Sequence, residues 1–195
     1  MHQHIGIYSG TFDPVHPGHI AFACEALRTL QLDEVIFLPE RIPRGKEQVS
    51  DIRHRLALLE QLLADQPGMR AVQLTTAQFT VAQTLPELRA LLGDAELTFL
   101  MGSDIVRTFP YRWEGLDTLL AEVSLAIGMR TGDSHHAIAR IIADLEWEYG
   151  HKIPHHFIHT PEADMASTHI RNGVANTERL QPGALNYIRE NGLYA

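Results

Sequence analysis

Short apolar runs alternate along the chain with longer stretches in which apolar residues recur every three or four positions. The runs Ile5–Ser9, Val35–Pro39, Arg70–Leu74, Leu97–Met101, Ser124–Met129 and Phe157–Thr160 predict strands, several of them closed by Gly or Pro. Helical spacing places helices over Gly18–Leu30 (Ile20, Cys24 and Leu27 on one face), Ser50–Gln66, Ala82–Leu92, Leu116–Glu122 and Ser134–Tyr149. In the second of these Leu56, Leu59, Leu62 and Leu63 share a face, with Ser50 or Asp51 as the cap. In Ser134–Tyr149 the inward residues are Ile138, Ile141, Ile142 and Leu145. Pro86 is expected near the first turn of its helix, where its missing N–H costs least. Two short helices are expected to follow, near Thr168–Asn172 and Pro182–Asn191.

Strands and helices that alternate through most of the chain favour an α/β fold, a Rossmann-like doubly wound parallel sheet with a short C-terminal helical segment. At 195 residues the chain fits one domain, 1–195, with the helical part at about 161–195. In such sheets ligands bind beyond the carboxyl ends of the strands. The loops that matter are therefore Ser9–His19, Pro39–Lys46, Gly102–Asp104 and Pro161–Arg171.

Composition narrows the function classes. A formal net charge of −8 argues against a protein that coats nucleic acid, though not against a nucleotide site built from a few local cations. One cysteine, Cys24, cannot form an intrachain disulfide. No apolar stretch approaches the roughly 18 residues of a membrane helix, and no signal-peptide pattern is present. The expected location is the cytoplasm, with no nucleic acid or membrane as partner. The oligomeric state is left open.

The loop after the first strand carries the chemistry. It reads Ser9-Gly10-Thr11-Phe12-Asp13-Pro14-Val15-His16-Pro17-Gly18-His19. Gly10 lets the backbone approach a ligand closely. Thr11 offers a hydroxyl beside main-chain amides. If Pro17 begins a helix, His16 and His19 share a face near its N-terminus, where free N–H groups and the dipole attract anions. Imidazolium donors there would stabilise charge gathering on a phosphate in flight. A lone histidine is usually a surface or packing residue, and with 12 in the chain most must be. Two at this spacing after a glycine turn are a different matter. Zinc fits poorly, since the His-Glu-x-x-His helix is absent. The Gly-x-x-x-x-Gly-Lys-Ser/Thr loop of ordinary ATPases is absent too.

Gly10-Thr11-Phe12-Asp13-Pro14-x-His16-x-Gly18-His19 resembles the signature of the nucleotidyltransferase superfamily that carries a His-x-Gly-His motif. The resemblance implies in-line attack by a phosphate-bearing acceptor on the α-phosphate of ATP. Pyrophosphate would leave, no covalent intermediate would form, and Mg²⁺ would assist through the ATP phosphates rather than at a site built from side chains. It implies His16, His19 and Thr11 as catalytic residues, with Ser9, Gly10 and Gly18 beside them at the phosphates. A second segment, Ser167-Thr168-His169-Ile170-Arg171, resembles the superfamily's Ile-Ser-Ser-Thr-x-Ile-Arg motif, with Met165 and Ala166 in place of the usual Ile and first Ser. It implies Ser167, Thr168 and Arg171 at the phosphates.

Within the superfamily the chain is similar to the nicotinate-mononucleotide adenylyltransferase family along nearly its whole length. Gly102-Ser103-Asp104, followed by Phe109-Pro110 and Trp113, is similar to that family's Gly-x-Asp segment, which implies Gly102 and Asp104 at the adenosine ribose. Lys46 and Arg44 lie where the family has Pro-Pro-His-Lys and are candidates for the acceptor phosphate. Ala82-Gln83-Thr84-Leu85 is also similar, and places Thr84 with the acceptor. Thr80-Val81 stands where the family has Tyr-Thr. Trp113 is shifted by one residue, leaving Trp113 or Tyr111 to stack on a pyridine ring and Arg112 to meet a carboxylate. The resemblance implies transfer of AMP from ATP to nicotinate mononucleotide. The alternatives are the same chemistry on another phosphorylated acceptor, such as nicotinamide mononucleotide, or a nucleotide-binding paralogue without turnover.

Overall fold

The computed structural model of the chain describes residues 2–43, 45, 49–161, 167, 180 and 182–194. Six strands form one sheet in the order β3-β2-β1-β4-β5-β6, and every neighbouring pair is parallel. They are β1 (His4–Gly10), β2 (Glu34–Pro39), β3 (Met69–Ala71), β4 (Glu96–Gly102), β5 (Ser124–Met129) and β6 (His155–His159). The helices are α1 (Pro17–Thr29), α2 (Ile52–Leu63), α3 (Val81–Leu92), the short α4 (Ser103–Val106), α5 (Leu116–Glu122), α6 (His135–Tyr149) and α7 (Pro182–Glu190). The expected α/β doubly wound architecture is the one observed, with α7 as its C-terminal helix.

Both faces of the sheet are buried, so each strand splits its side chains between two cores. Ile5 and Ile7 of β1, Ile36 and Leu38 of β2, and Leu97, Phe99 and Met101 of β4 pack with α3, α5 and α6. Val35 and Phe37 of β2 and Leu100 of β4 pack with α1, α2 and α7. On that second face the residues under α1 are small. A Cβ on Gly6 would press on Leu32, Val35 and Leu100, and one on Gly128 would meet the Phe22 ring at 3.2 Å. Ala23 and Ala26 of α1 are fully buried. Small residues on both sides bring α1 close to the sheet, which sets the height of its N-terminus above the strand ends.

Several local expectations shift. The inward row of α2 is Arg55, Leu58, Leu59, Leu62 and Leu63, whereas Leu56 is only half-buried. Its cap is Asp51, whose side chain accepts from the Arg53 amide at 2.8 Å. Pro86 lies inside α3, not in its first turn. The carbonyl it leaves unbonded belongs to exposed Ala82, where water can replace the missing N–H. Ile141 is half-buried, while Ile138, Ile142 and Leu145 are buried. The expected helix near Thr168–Asn172 lies outside the described residues.

Candidate active site

The strand order reverses direction at β1, with β2 on one side and β4 on the other, so the crevice beyond their carboxyl ends is where a doubly wound sheet receives a ligand. Two clefts open there. The first is lined by Tyr8, His16, Gly18, His19, Gly102 and Arg130 among others. The second is lined by Ser9, Pro39, Glu40, Phe79 and Thr84 among others. Tyr8 and Ser9 are neighbours in β1 and point to opposite faces, so the end of one strand serves both clefts.

Pro17 does begin α1, with His16 as the residue that caps it. The histidine rings stack with centroids 3.6 Å apart, and the His16 amide donates to His19 Nδ1 at 3.2 Å. His19 also meets Phe12 edge-on at 5.1 Å. The rings are thus fixed against each other before any ligand arrives. His16 is only 4% exposed and its Nδ1 has no partner among the described residues. Burial and, after it, the nearby Arg130 guanidinium lower its pKa to about 4. His16 is therefore neutral near pH 7 in the ligand-free protein. A neutral ring donates through one N–H, and the fixed positive charge beside it comes from elsewhere.

Arg130 supplies it. It follows β5 directly and lines the first cleft beside His16. Its Nη2 lies 3.5 Å from Asp104 Oδ2, a loose pair at the surface that is worth little by itself. Its main-chain amide donates to Asp133 Oδ2 at 2.7 Å. Asp133 also accepts from the buried Ser103 hydroxyl and pairs with Arg107 at 2.9 Å, which joins the loops after β4 and β5. Burial works to raise the Asp133 carboxyl, but these donors outweigh it and hold it below the usual range. Sequence reasoning passed over Arg130 because the loop after β5 carries no motif. Its place at a strand's carboxyl end was the available signal.

Asp104 stands at the start of α4, its side chain 55% exposed. Its carboxylate folds back over Gly102, where any Cβ would overlap it. A side chain at that point would displace the Asp104 carboxylate from its place over the backbone. At Gly10 the contact lies within the loop itself. A Cβ there would press on the Phe12 ring at 3.1 Å, so Gly10 makes room for a packed ring of its own loop. Thr11 is half-buried, and its carbonyl accepts from Arg55 Nη1 at 2.7 Å. Ser167 reaches this loop from far along the chain, its hydroxyl donating to the Pro14 carbonyl at 2.9 Å. Thr168, Arg171, Arg44 and Lys46 lie outside the described residues.

The expected acceptor residues divide. Thr84 lines the second cleft, and its hydroxyl accepts from the Thr80 amide at 3.2 Å, closing the first turn of α3. Ser9, expected with ATP, lines that same second cleft. Trp113 lines neither cleft. Its indole N–H donates to Thr108 at 3.1 Å and its ring meets Phe109 edge-on, packed against the core. Tyr111 is 82% exposed, and Arg112 pairs with Glu148 of α6. The carboxylate that Arg112 meets is the protein's own. Between Tyr111 and Trp113 the backbone is left-handed at Arg112, φ 56°.

The cytidylyltransferase-like family model matches residues 7–173, which takes in both loops of the site. Two relatives carry the name nicotinate-nucleotide adenylyltransferase. One, from Neisseria meningitidis serogroup C, is 32% identical over 201 residues, 97% of this chain and 98% of its own. The other, from Geobacillus thermodenitrificans, is 34% identical over 97% of this chain and 85% of its own. The chain belongs to the nicotinate-nucleotide adenylyltransferase family, within the cytidylyltransferase-like group. A solved Plasmodium falciparum nicotinic acid mononucleotide adenylyltransferase complexed with NaAD has the same fold. It superposes with a TM-score of 0.76 at 18% identity, covering 99% of this chain and 98% of that one. Members of this family are nucleotidyltransferases, and the two-cleft crevice, the stacked histidines and Arg130 are the features of this member on which its chemistry has to be built. Among the described residues no helix is long and apolar enough to cross a membrane.

Proposed function

We propose that the protein transfers AMP from ATP to nicotinate mononucleotide, giving nicotinate adenine dinucleotide and pyrophosphate. The observation that carries this reading is the pair of clefts on opposite faces of the end of β1, one of them holding the stacked histidines and Arg130. ATP takes the first cleft and the mononucleotide the second, so that the acceptor phosphate meets the α-phosphate above Thr11.

A phosphate oxygen of the acceptor attacks the α-phosphorus in line. A new P–O bond forms as the bond to the bridging oxygen breaks, and that oxygen leaves with pyrophosphate. His19 and His16 donate to the phosphate oxygens as charge builds on them, and the N-terminus of α1 and Arg130 add fixed positive potential. Gly10, Gly18 and Thr11 give main-chain and hydroxyl donors, and Asp104 accepts from the ribose hydroxyls over Gly102. Ser167, Thr168 and Arg171 complete the phosphate contacts. Ser9, Thr84, Arg44 and Lys46 belong to the acceptor side. The described residues contain no cluster of three or more His, Cys, Asp or Glu suited to a metal. Mg²⁺ would come carried on the ATP phosphates, where it would neutralise charge. A reducing, cytosol-like compartment suits the single Cys24.

Purified protein given Mg-ATP and nicotinate mononucleotide should release pyrophosphate at a rate that neither substrate alone supports. Because Trp113 and Tyr111 lie away from both clefts, the acceptor panel includes nicotinamide mononucleotide. Faster turnover of that amide would reassign the acceptor while keeping the chemistry. Release with no acceptor in the panel would overturn the reading.

A further inference from the structure

We infer that Arg55 is a positioning residue for both substrates, holding the loop after β1 and the loop after β2 in one geometry; the inference rests on adenylyl transfer as the reaction. Arg55 sits on α2, is 0% exposed and lines neither cleft. Its donors reach four main-chain carbonyls. Nη1 donates to Thr11 at 2.7 Å and to Glu40 at 2.8 Å, Nη2 to Arg41 at 3.1 Å, and Nε to Ser50 at 2.9 Å. One guanidinium therefore ties the catalytic loop, the loop after β2 and the entry to α2.

Packing alone does not call for this arrangement. A buried charge loses its hydration, and an apolar side chain of like volume is often as stable or more so. What an apolar side chain cannot do is hold carbonyls from separate segments. The planar fork fixes directions as well as distances. By taking the Thr11 carbonyl it sets the plane of the Thr11–Phe12 peptide, and since that peptide is trans the Phe12 amide is aimed away from the guanidinium. Phe12 itself has φ 49°, a backbone region unfavourable for a bulky residue that persists only where the surroundings enforce it. Its buried ring packs on Tyr8, Phe37 and His19. The clamp thus reaches the catalytic ring through one residue. On the other side, Glu40 lines the second cleft, and its own amide donates to the Gly10 carbonyl at 3.0 Å.

The test compares Arg55→Lys with the wild type on Mg-ATP and nicotinate mononucleotide. Lysine keeps the charge but presents all its donors from a single nitrogen, so it cannot span four carbonyls. Folding is checked by thermal unfolding. The expected result is a folded variant with kcat down about tenfold or more and KM raised for both substrates, as a misplaced but intact site requires. A folded variant whose kcat and two KM values stay within about twofold of wild type would overturn the inference. If Arg55→Lys does not fold, hydrogen exchange on the wild type decides. A non-hydrolysable ATP analogue alone should slow exchange across Leu38–Ile42, on the far cleft, and unchanged exchange there would overturn it. Absence of turnover in the wild type would count against the proposed reaction, while the exchange result, which needs only nucleotide binding, would still decide the role of Arg55.

Discussion

At the scale of single residues, burial and charge decide what each group can do. His16 has a folded pKa of about 4, against its ordinary 6.5. Between those values the unfolded chain holds the proton and the folded chain does not, so stability falls as pH falls from 6.5 toward 4 and is fully present above 6.5. The shift corresponds to roughly 3 kcal/mol at most. Urea midpoints at pH 7.5 and 4.5 should therefore fall more for the wild type than for His16→Gln, and equal losses would show that His16 is not the group responsible. His19→Ala should keep the fold and lower turnover about 10²–10³-fold, as loss of one transition-state donor does; steady-state kinetics would read it. Arg130→Met should weaken ATP, seen as a higher KM, while leaving the thermal midpoint close to wild type, because its pair with Asp104 is loose and exposed. The histidine pair is legible in the sequence, since three-residue spacing after a strand and a glycine turn has few other uses. Arg130 is legible only through its place at the end of a strand, and Arg55 is not legible. A lone arginine after a strand carries no pattern, and an arginine in an amphipathic helix reads as solvent-facing until the loops that surround it are placed.

At the scale of elements, the site depends on pieces far apart in the chain. Tyr194, four residues beyond the end of α7, donates its hydroxyl to buried Asp13 at 2.6 Å, and the Ser50 amide donates to the other oxygen at 3.3 Å. Burial and the bond to Asp13 push the Tyr194 hydroxyl well above its usual pKa, so it remains a donor. Tyr194→Phe should cost on the order of 1–3 kcal/mol, because it leaves a buried carboxylate short of a donor. For a chain of this length each kcal/mol lowers the thermal midpoint by roughly 2–4 °C, and an unchanged midpoint would remove the latch. Periodicity placed every strand and the long helices, because doubly buried strands and amphipathic helices differ in both length and period. It misjudged what tertiary packing decides. Leu56 and Leu58 are both apolar, and only the position of the sheet selects Leu58. Trp113 packs on Phe109 and the core just after a left-handed residue, Arg112, that no pattern announces.

At the scale of the whole molecule, the order β3-β2-β1-β4-β5-β6 places the carboxyl end of β1 at the switch point, and the alternation of its side chains opens a cleft on each face. The fold class followed from the alternation of elements, while the acceptor half did not, since whether Trp113 and Thr84 line one cleft is decided only by tertiary packing. The proposed chemistry is direct transfer of the adenylyl group from ATP to a second bound nucleotide. ATP labelled at the α-phosphorus, incubated with Mg²⁺, enzyme and nicotinate mononucleotide, tests that most directly. The label should appear in nicotinate adenine dinucleotide, in step with pyrophosphate release. Label recovered as ADP or free AMP, with no labelled dinucleotide, would contradict it.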